Sequence, residues 1–213
     1  MKKLKHAFTL LEVVIVIVVI GILSAVFLPR LNQNRNLSNA AYLLISDIQY
    51  TQHLALMDDI YSLNNATDWY KARWQIYFKD DASGSGKLVY TIYQDKDLNS
   101  ATNPDKTEIA KDPLTSKLMS GDSLYGSDSI SRMNLGKSYK ITQTSANIMS
   151  GGCQGSQRIF FDYLGRPYSS SDGVVKTLIK SECIIKLSNP DGTVDIAIEP
   201  ETGYTHIKNV TLN

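Results

Sequence analysis

Hydrophobic and polar positions divide the chain into two regimes. Residues 7–28, AFTLLEVVIVIVVIGILSAVFL, form an almost unbroken apolar run in which Glu12 is the single ionisable residue. The run is long enough for a bilayer span, which takes about 20 helical residues. After the polar patch 30–36 a helical period begins: Leu37, Ala40, Ala41, Leu44, Ile48, Thr51 and Ala55 recur at i, i+3 and i+4, with Asn39, Asp47 and Gln52 on other faces. One stripe of that helix is predicted to face a core. Pro29 permits a kink without ending a helix, so the pattern predicts one helix from Phe8 to about Met57, with Asp58-Asp59 and Asn64-Asn65 marking its end.

Beyond that the period becomes two. Residues 73–78 (RWQIYF) and 87–93 (KLVYTIY) alternate around Ser83-Gly84-Ser85-Gly86, which predicts a hairpin. Residues 95–150 are rich in Ser, Asp, Asn, Lys and Gly, and only 108–110 and 138–142 read as brief strands. Strand signals return at 158–162 before a Leu164-Gly165-Arg166-Pro167 turn, at 183–187, and at 193–198 after the turn Asn189-Pro190-Asp191-Gly192. The expected class is α+β: one long helix followed by mainly antiparallel strands, with the helix stripe covering a sheet face.

Charge placement gives the span a direction. Lys2, Lys3 and Lys5 precede it, which by the positive-inside rule keeps the N-terminus cytoplasmic and sends the C-terminal part outside. Glu12 is then the anomaly. A carboxylate on an isolated span costs a few kcal/mol or more and calls for a cation. Its neighbours offer none, and Lys5 lies beyond the membrane boundary. A cut between Ala7 and Phe8 would create one, a new α-amino group four residues from Glu12 in the same chain or in a neighbour one register along. Two plainer readings compete. A secretory signal peptide has a shorter apolar region of ~7–15 residues and a small-residue cleavage site, which Phe27-Leu28-Pro29-Arg30 does not supply. A plain single-pass anchor explains the length but not the acid.

The string Lys5-His6-Ala7-Phe8-Thr9-Leu10-Leu11-Glu12 resembles the class III signal of type IV prepilins and type II secretion pseudopilins, and Gly21 and Pro29 stand where that family has a glycine and a proline. Ala7 replaces the family's usual glycine before the cut. The resemblance implies that a prepilin peptidase removes residues 1–7 and methylates the amine of Phe8. It also implies that Glu12 pairs with the Phe8 amine of an adjacent subunit during assembly with other pilins. In the order of helix, Trp-bearing hairpin, the 159–167 strand and turn, and the Pro200-Glu201-Thr202-Gly203-Tyr204 close, the chain resembles the H-type minor pseudopilins and related minor pilins. The expected organisation is therefore a leader at 1–7, a helix at 8–28 spanning the inner membrane and forming the filament core, its amphipathic continuation at 29–58, and a periplasmic β-rich domain at 59–213. The expected fold is pilin-like.

Composition adds little beyond this. The net charge is +1, and loss of Lys2, Lys3 and Lys5 would take it to −2, so nothing global suggests a polyanionic partner. Cys153 and Cys183 both lie in the part expected outside the cytoplasm, where disulfides persist. They read either as a pair or as two free buried thiols. His6, His53 and His206 are far apart, without metal-ligand spacing. Gly136-Lys137-Ser138 lacks the glycine that a phosphate loop needs at position 131, which is Ser131. No nucleophile elbow is present, so no enzymatic activity and no cofactor are expected. Asp95, Asp97 and Asn99 have the spacing of calcium-loop oxygens, but Ser100 and Lys106 stand where the loop needs Gly and Glu. Arg158, Arg166, Lys176, Lys180, Lys186 and Lys208 could gather to hold DNA phosphates, as in minor pilins that serve DNA uptake. Asp172, Glu182, Asp191, Asp195, Glu199 and Glu201 are interspersed among them and favour a solvated mixed surface.

Overall fold

In the computed structural model residues 9–58, 72–96, 104–170 and 177–212 are described, with 26–35 described in backbone only. The chain falls into two units, Met1–Asn36 and Leu37–Asn213. Helix α1 (Leu10–Met57) begins in the first and continues into the second without a break at Pro29.

In the second unit the predicted stripe is the centre of the core. Leu37, Ala40, Ala41, Leu44, Ile48 and Ala55 are buried in one apolar cluster with residues from two antiparallel sheets. The first sheet has the order β2-β1-β4-β5-β6 and the second β3-β7-β8-β9. Strands β1 (Trp74–Asp80) and β2 (Leu88–Gln94) form the predicted hairpin, paired from Trp74↔Gln94 to Asp80↔Leu88. Gly84 and Gly86 take positive φ in its turn. Strand β4 (Arg158–Phe161) pairs with β1 on one side and with β5 (Pro167–Ser170) on the other, and β6 (Thr177–Leu178) closes the sheet. Alternation aims Ile76, Phe78, Leu88, Tyr90, Ile92, Ile159 and Phe161 at the shared core. The opposite face carries Tyr77 and Tyr93, which form a second cluster with Ile109, Leu118 and Tyr125.

The segment from 104 to 134 follows the outer edge of β2. Ile92 N–H donates to Met119 (2.9 Å), Gln94 N–H to Glu108 (3.1 Å), and Gly121 N–H to Tyr90 (3.0 Å). An edge that would otherwise expose unpaired backbone is thereby occupied. A buried Lys79–Asp122 ion pair fastens the same segment to β1. The strand-like reading of 108–110 matches this pairing. Residues 138–142 do not form a strand: Leu135–Tyr139 is a short helix, α2, capped by the Asn134 side chain, which accepts from Lys137 N–H at 2.9 Å. Lys140 ends it in the left-handed region.

In the second sheet β3 (Met149–Gly151) pairs with β7 (Cys183–Asn189), β7 with β8 (Gly192–Ile198) through the predicted turn, and β8 with β9 (Thr205–Leu212). The last of these lies beyond the sequence-predicted strands. It is an edge strand exposed over Lys208 to Leu212, so it lacks the apolar alternation that marks a half-buried strand.

Cys153 and Cys183 form a disulfide with Cα atoms 5.1 Å apart, both residues buried. It joins the turn that follows the three-residue β3 to the first residue of β7, across a sequence separation of 30. Replacing both by alanine should lower stability by about 3–4 kcal/mol on loop-entropy grounds, measured as a shift of the urea midpoint. The wild-type protein in reductant should show the same shift.

Candidate functional site

The first unit presents the features that set this chain apart. Thr9 and Glu12 form a reciprocal cap at the start of α1: Glu12 N–H donates to the Thr9 hydroxyl (3.3 Å), and Thr9 N–H donates to a Glu12 carboxylate oxygen (3.4 Å). This role for Glu12 was readable in the Thr9-Leu10-Leu11-Glu12 spacing, the capping-box pattern, but was hidden behind the question of its counter-charge. One oxygen accepts a single long bond, so the carboxylate retains most of its acceptor capacity.

Around that acid, from Leu10 to Ala25, the helix is apolar on nearly every face and none of its described apolar side chains is covered. Leu10, Ile15, Ile17, Ile20 and Ile22 are each more than half exposed, and the valines between them are also open. A helix apolar all round is stable in water only when something encloses it, and an open patch of this extent marks an interaction surface. Among the described residues no helix is long and apolar enough to cross a membrane; the described side chains of the apolar run stop at Ala25. Ala7 and Phe8, the expected cleavage pair, lie outside the described residues.

The other sequence-predicted candidates are only partly within the described residues. Asp95 is buried next to Tyr93, while Asp97 and Asn99 fall outside the described residues. Among the described residues no three potential metal ligands converge. The basic residues near the C-terminus do not form a free patch. Arg158 is buried with its guanidinium 4.0 Å over the Tyr77 ring, and it donates to the Tyr93 hydroxyl at 2.6 Å. Burial pushes the Tyr93 phenol up, with Arg158 opposing. Arg166 pairs with Asp162 at 2.8 Å, Lys186 with Asp195 at 3.9 Å, and Lys208 with Glu182. Lys180 is exposed and Lys176 lies outside the described residues. Gly136-Lys137-Ser138 sits inside α2, where a Cβ on Gly136 would lie 2.7 Å from the Lys87 Cβ, so this glycine serves packing.

Two polar residues on the second half of α1 and one just beyond its end instead carry out structural work that the helical pattern did not reveal. Asp47, expected on an outer face, is buried. It accepts from the Tyr90 hydroxyl (2.6 Å) and from both terminal nitrogens of Arg132 (2.6 and 3.2 Å). Burial and the Asp47 charge together raise the Tyr90 phenol well above its ordinary value. Burial opposes the Arg132 charge, but Asp47 outweighs it and raises Arg132 too. Gln52 donates to Gly165 O (2.7 Å) and Thr202 O (2.8 Å), tying one loop of each sheet to the helix. Glycine is required where they meet: Gly165 and Gly203 both take positive φ, and a Cβ on Gly203 would lie 2.7 Å from both the Gln52 amide and Gly165 O. Asp58, just past the helix end, accepts from Trp74 Nε1 (2.8 Å) and Gln94 Nε2 (2.9 Å).

Residues 2–28 match the family model described as "Prokaryotic N-terminal methylation motif". The chain therefore carries that motif over the segment that holds Glu12 and the uncovered apolar helix, and the match supports a type IV pilin-like subunit processed by a prepilin peptidase and assembled with other pilins. No curated protein and no solved structure gives a match to the chain.

Asp47→Ala should cost about 3 kcal/mol, because it strands the Arg132 guanidinium and the buried Tyr90 hydroxyl. Adding Arg132→Ala should recover part of that loss, and a double-mutant cycle by thermal denaturation measures the coupling directly.

Proposed function

We propose that the chain is a non-enzymatic structural subunit of a type IV pilin-like filament, a minor pseudopilin or minor pilin anchored by its first helix. The observation that supports this most is a lone acid at the start of an uncovered apolar helix, lying inside the methylation motif. Residues 8–28 span the inner membrane with the N-terminus cytoplasmic and the folded domain in the periplasm, a reading supported by the placement of Lys2, Lys3 and Lys5. Prepilin peptidase hydrolyses the Ala7–Phe8 bond, and the freed amine of Phe8 receives the methyl group.

Assembly then follows from solvation. The apolar helices leave lipid for one another at little cost, so their contacts alone set no axial position. Glu12 sets it. Its carboxylate, weakly engaged by Thr9 in its own chain, takes the Phe8 ammonium of the neighbour, and any other register leaves buried charges unpaired. The order of helix, Trp74 hairpin, 159–167 strand and turn, and 200–204 close supports an H-type minor pseudopilin of a type II secretion system. A DNA-uptake role, the alternative, draws no support from basic residues that are mostly buried or paired with acids.

Two substitutions separate the cap from the ion pair. Glutamine can replace glutamate in a capping box but carries no charge. Both Glu12→Gln and Glu12→Ala should be inserted and cleaved normally in the native host, yet recovered in sheared filaments at least tenfold less than wild type. Normal recovery of Glu12→Gln would assign the residue to helix capping and remove the ion pair from the account.

A further inference from the structure

The geometry points to a small-oxyanion site on the middle segment, built for a ligand bearing a phosphate or sulfate group. Lys106, Lys111 and Lys117 line one pocket of about 340 Å³ together with the hydroxyl residues Ser116 and Ser127, and among the described residues Asp128 is the only acid in the lining. That volume is at the small end of ligand clefts, which run from roughly 300 to 1,000 Å³. The charge is unbalanced. Asp128 is taken by Lys106, with Nζ 2.8 Å from its carboxylate, and that hydrogen bond, with the charges of Lys106 and Lys117, holds the Asp128 carboxyl below its ordinary range. No ion pair among the described residues uses Lys111 or Lys117.

The walls are set by backbone bonds rather than by the lysines. Lys111 and Leu118 bridge across a tight loop, Asp112 N–H donates to Lys117 O (2.8 Å), and Leu118 N–H donates to Asp128 O (2.9 Å). Ser116 is held in the left-handed region at φ 58°. Buried Leu118 and Tyr125 anchor this frame to the second apolar cluster behind the first sheet. Like charges brought to one concavity repel, and the cheapest relief is a ligand with several acceptor oxygens and no donors. A tetrahedral oxyanion has that chemistry, and lysine binds phosphate as a point charge without needing planar geometry. The charge excess lies here and not among the C-terminal basic residues, and the inference does not depend on the filament reading.

The test uses the full-length chain in micelles of an uncharged detergent. Inorganic pyrophosphate is titrated at constant ionic strength while backbone amide shifts are followed by NMR. Saturable shifts confined to Ser116, Lys117, Leu118, Ser127 and Asp128 are expected, and Lys111→Gln/Lys117→Gln should weaken the affinity at least tenfold with the remaining spectrum unchanged. A second titration with phosphatidate-doped micelles identifies the source. The same local shifts there indicate a lipid headgroup, and shifts with pyrophosphate alone indicate a free anion. Shifts that never saturate, that spread across the other lysines, or that persist undiminished in the double variant would overturn the site.

Discussion

The fold depends on burying one stripe of α1. Leu37, Ala40, Ala41, Leu44 and Ile48 are fully enclosed by residues from both sheets, so the two sheets share one main core built on the helix. At about 25 cal/mol per Å² of apolar surface removed from water, the leucines and isoleucine of the stripe each contribute on the order of 2 kcal/mol. Burial alone does not orient a sheet, because apolar contact is non-directional. Direction comes from polar groups on the same helix and at its end: Asp47 reaches Tyr90 and Arg132, Gln52 holds one loop from each sheet, and Asp58, just past the last turn, receives Trp74 and Gln94. The disulfide adds a covalent tie where β3 is only three residues long and pairing alone is weakest.

The two units solve opposite problems along one helix. Past Asn36 the helix has a wet side and a dry side, and its partners are in the same chain. From Leu10 to Ala25 it has no wet side, and none of its described apolar side chains is covered. Such a surface is a demand for an environment, which in the function proposed above is lipid before assembly and other helices after it. In that setting a carboxylate changes from an ordinary helix cap to the most selective group on the surface, because it is the one group whose partner must be a cation.

Much of this was legible in the residues. The helix, the β1–β2 hairpin, β4 and its turn, and the β7–β8 hairpin follow from periods of 3.6 and 2 and from Gly, Asn and Pro turn chemistry. The stripe 37–55 was read residue by residue and Thr51 proved buried with it. The pattern failed where polar residues are inside. Asp47 looked like a solvent-facing position because its partners, Tyr90 and Arg132, are distant in sequence. Gln52 carried no signal at all, since its acceptors are backbone carbonyls that every residue possesses. Apart from 108–110, the segment 104–134 was unreadable because it is held by isolated backbone bridges to β2 and by a few scattered apolar anchors, and neither produces a repeat. The candidate calcium string lies mostly outside the described residues, and the basic C-terminal set was a spacing pattern in which Arg158 proved to be an interior cation stacked on tyrosine.

The central claim is chemical and concerns a single bond. If the carboxylate of Glu12 is answered by an ammonium made by proteolysis, the mature chain must begin at Phe8. Intact-mass and N-terminal peptide mass spectrometry of the protein from its native membrane reads this directly. The account predicts a chain lacking residues 1–7 with one additional methyl group on the Phe8 amine. A mature chain that retains Met1, or that begins at any other residue, would contradict it.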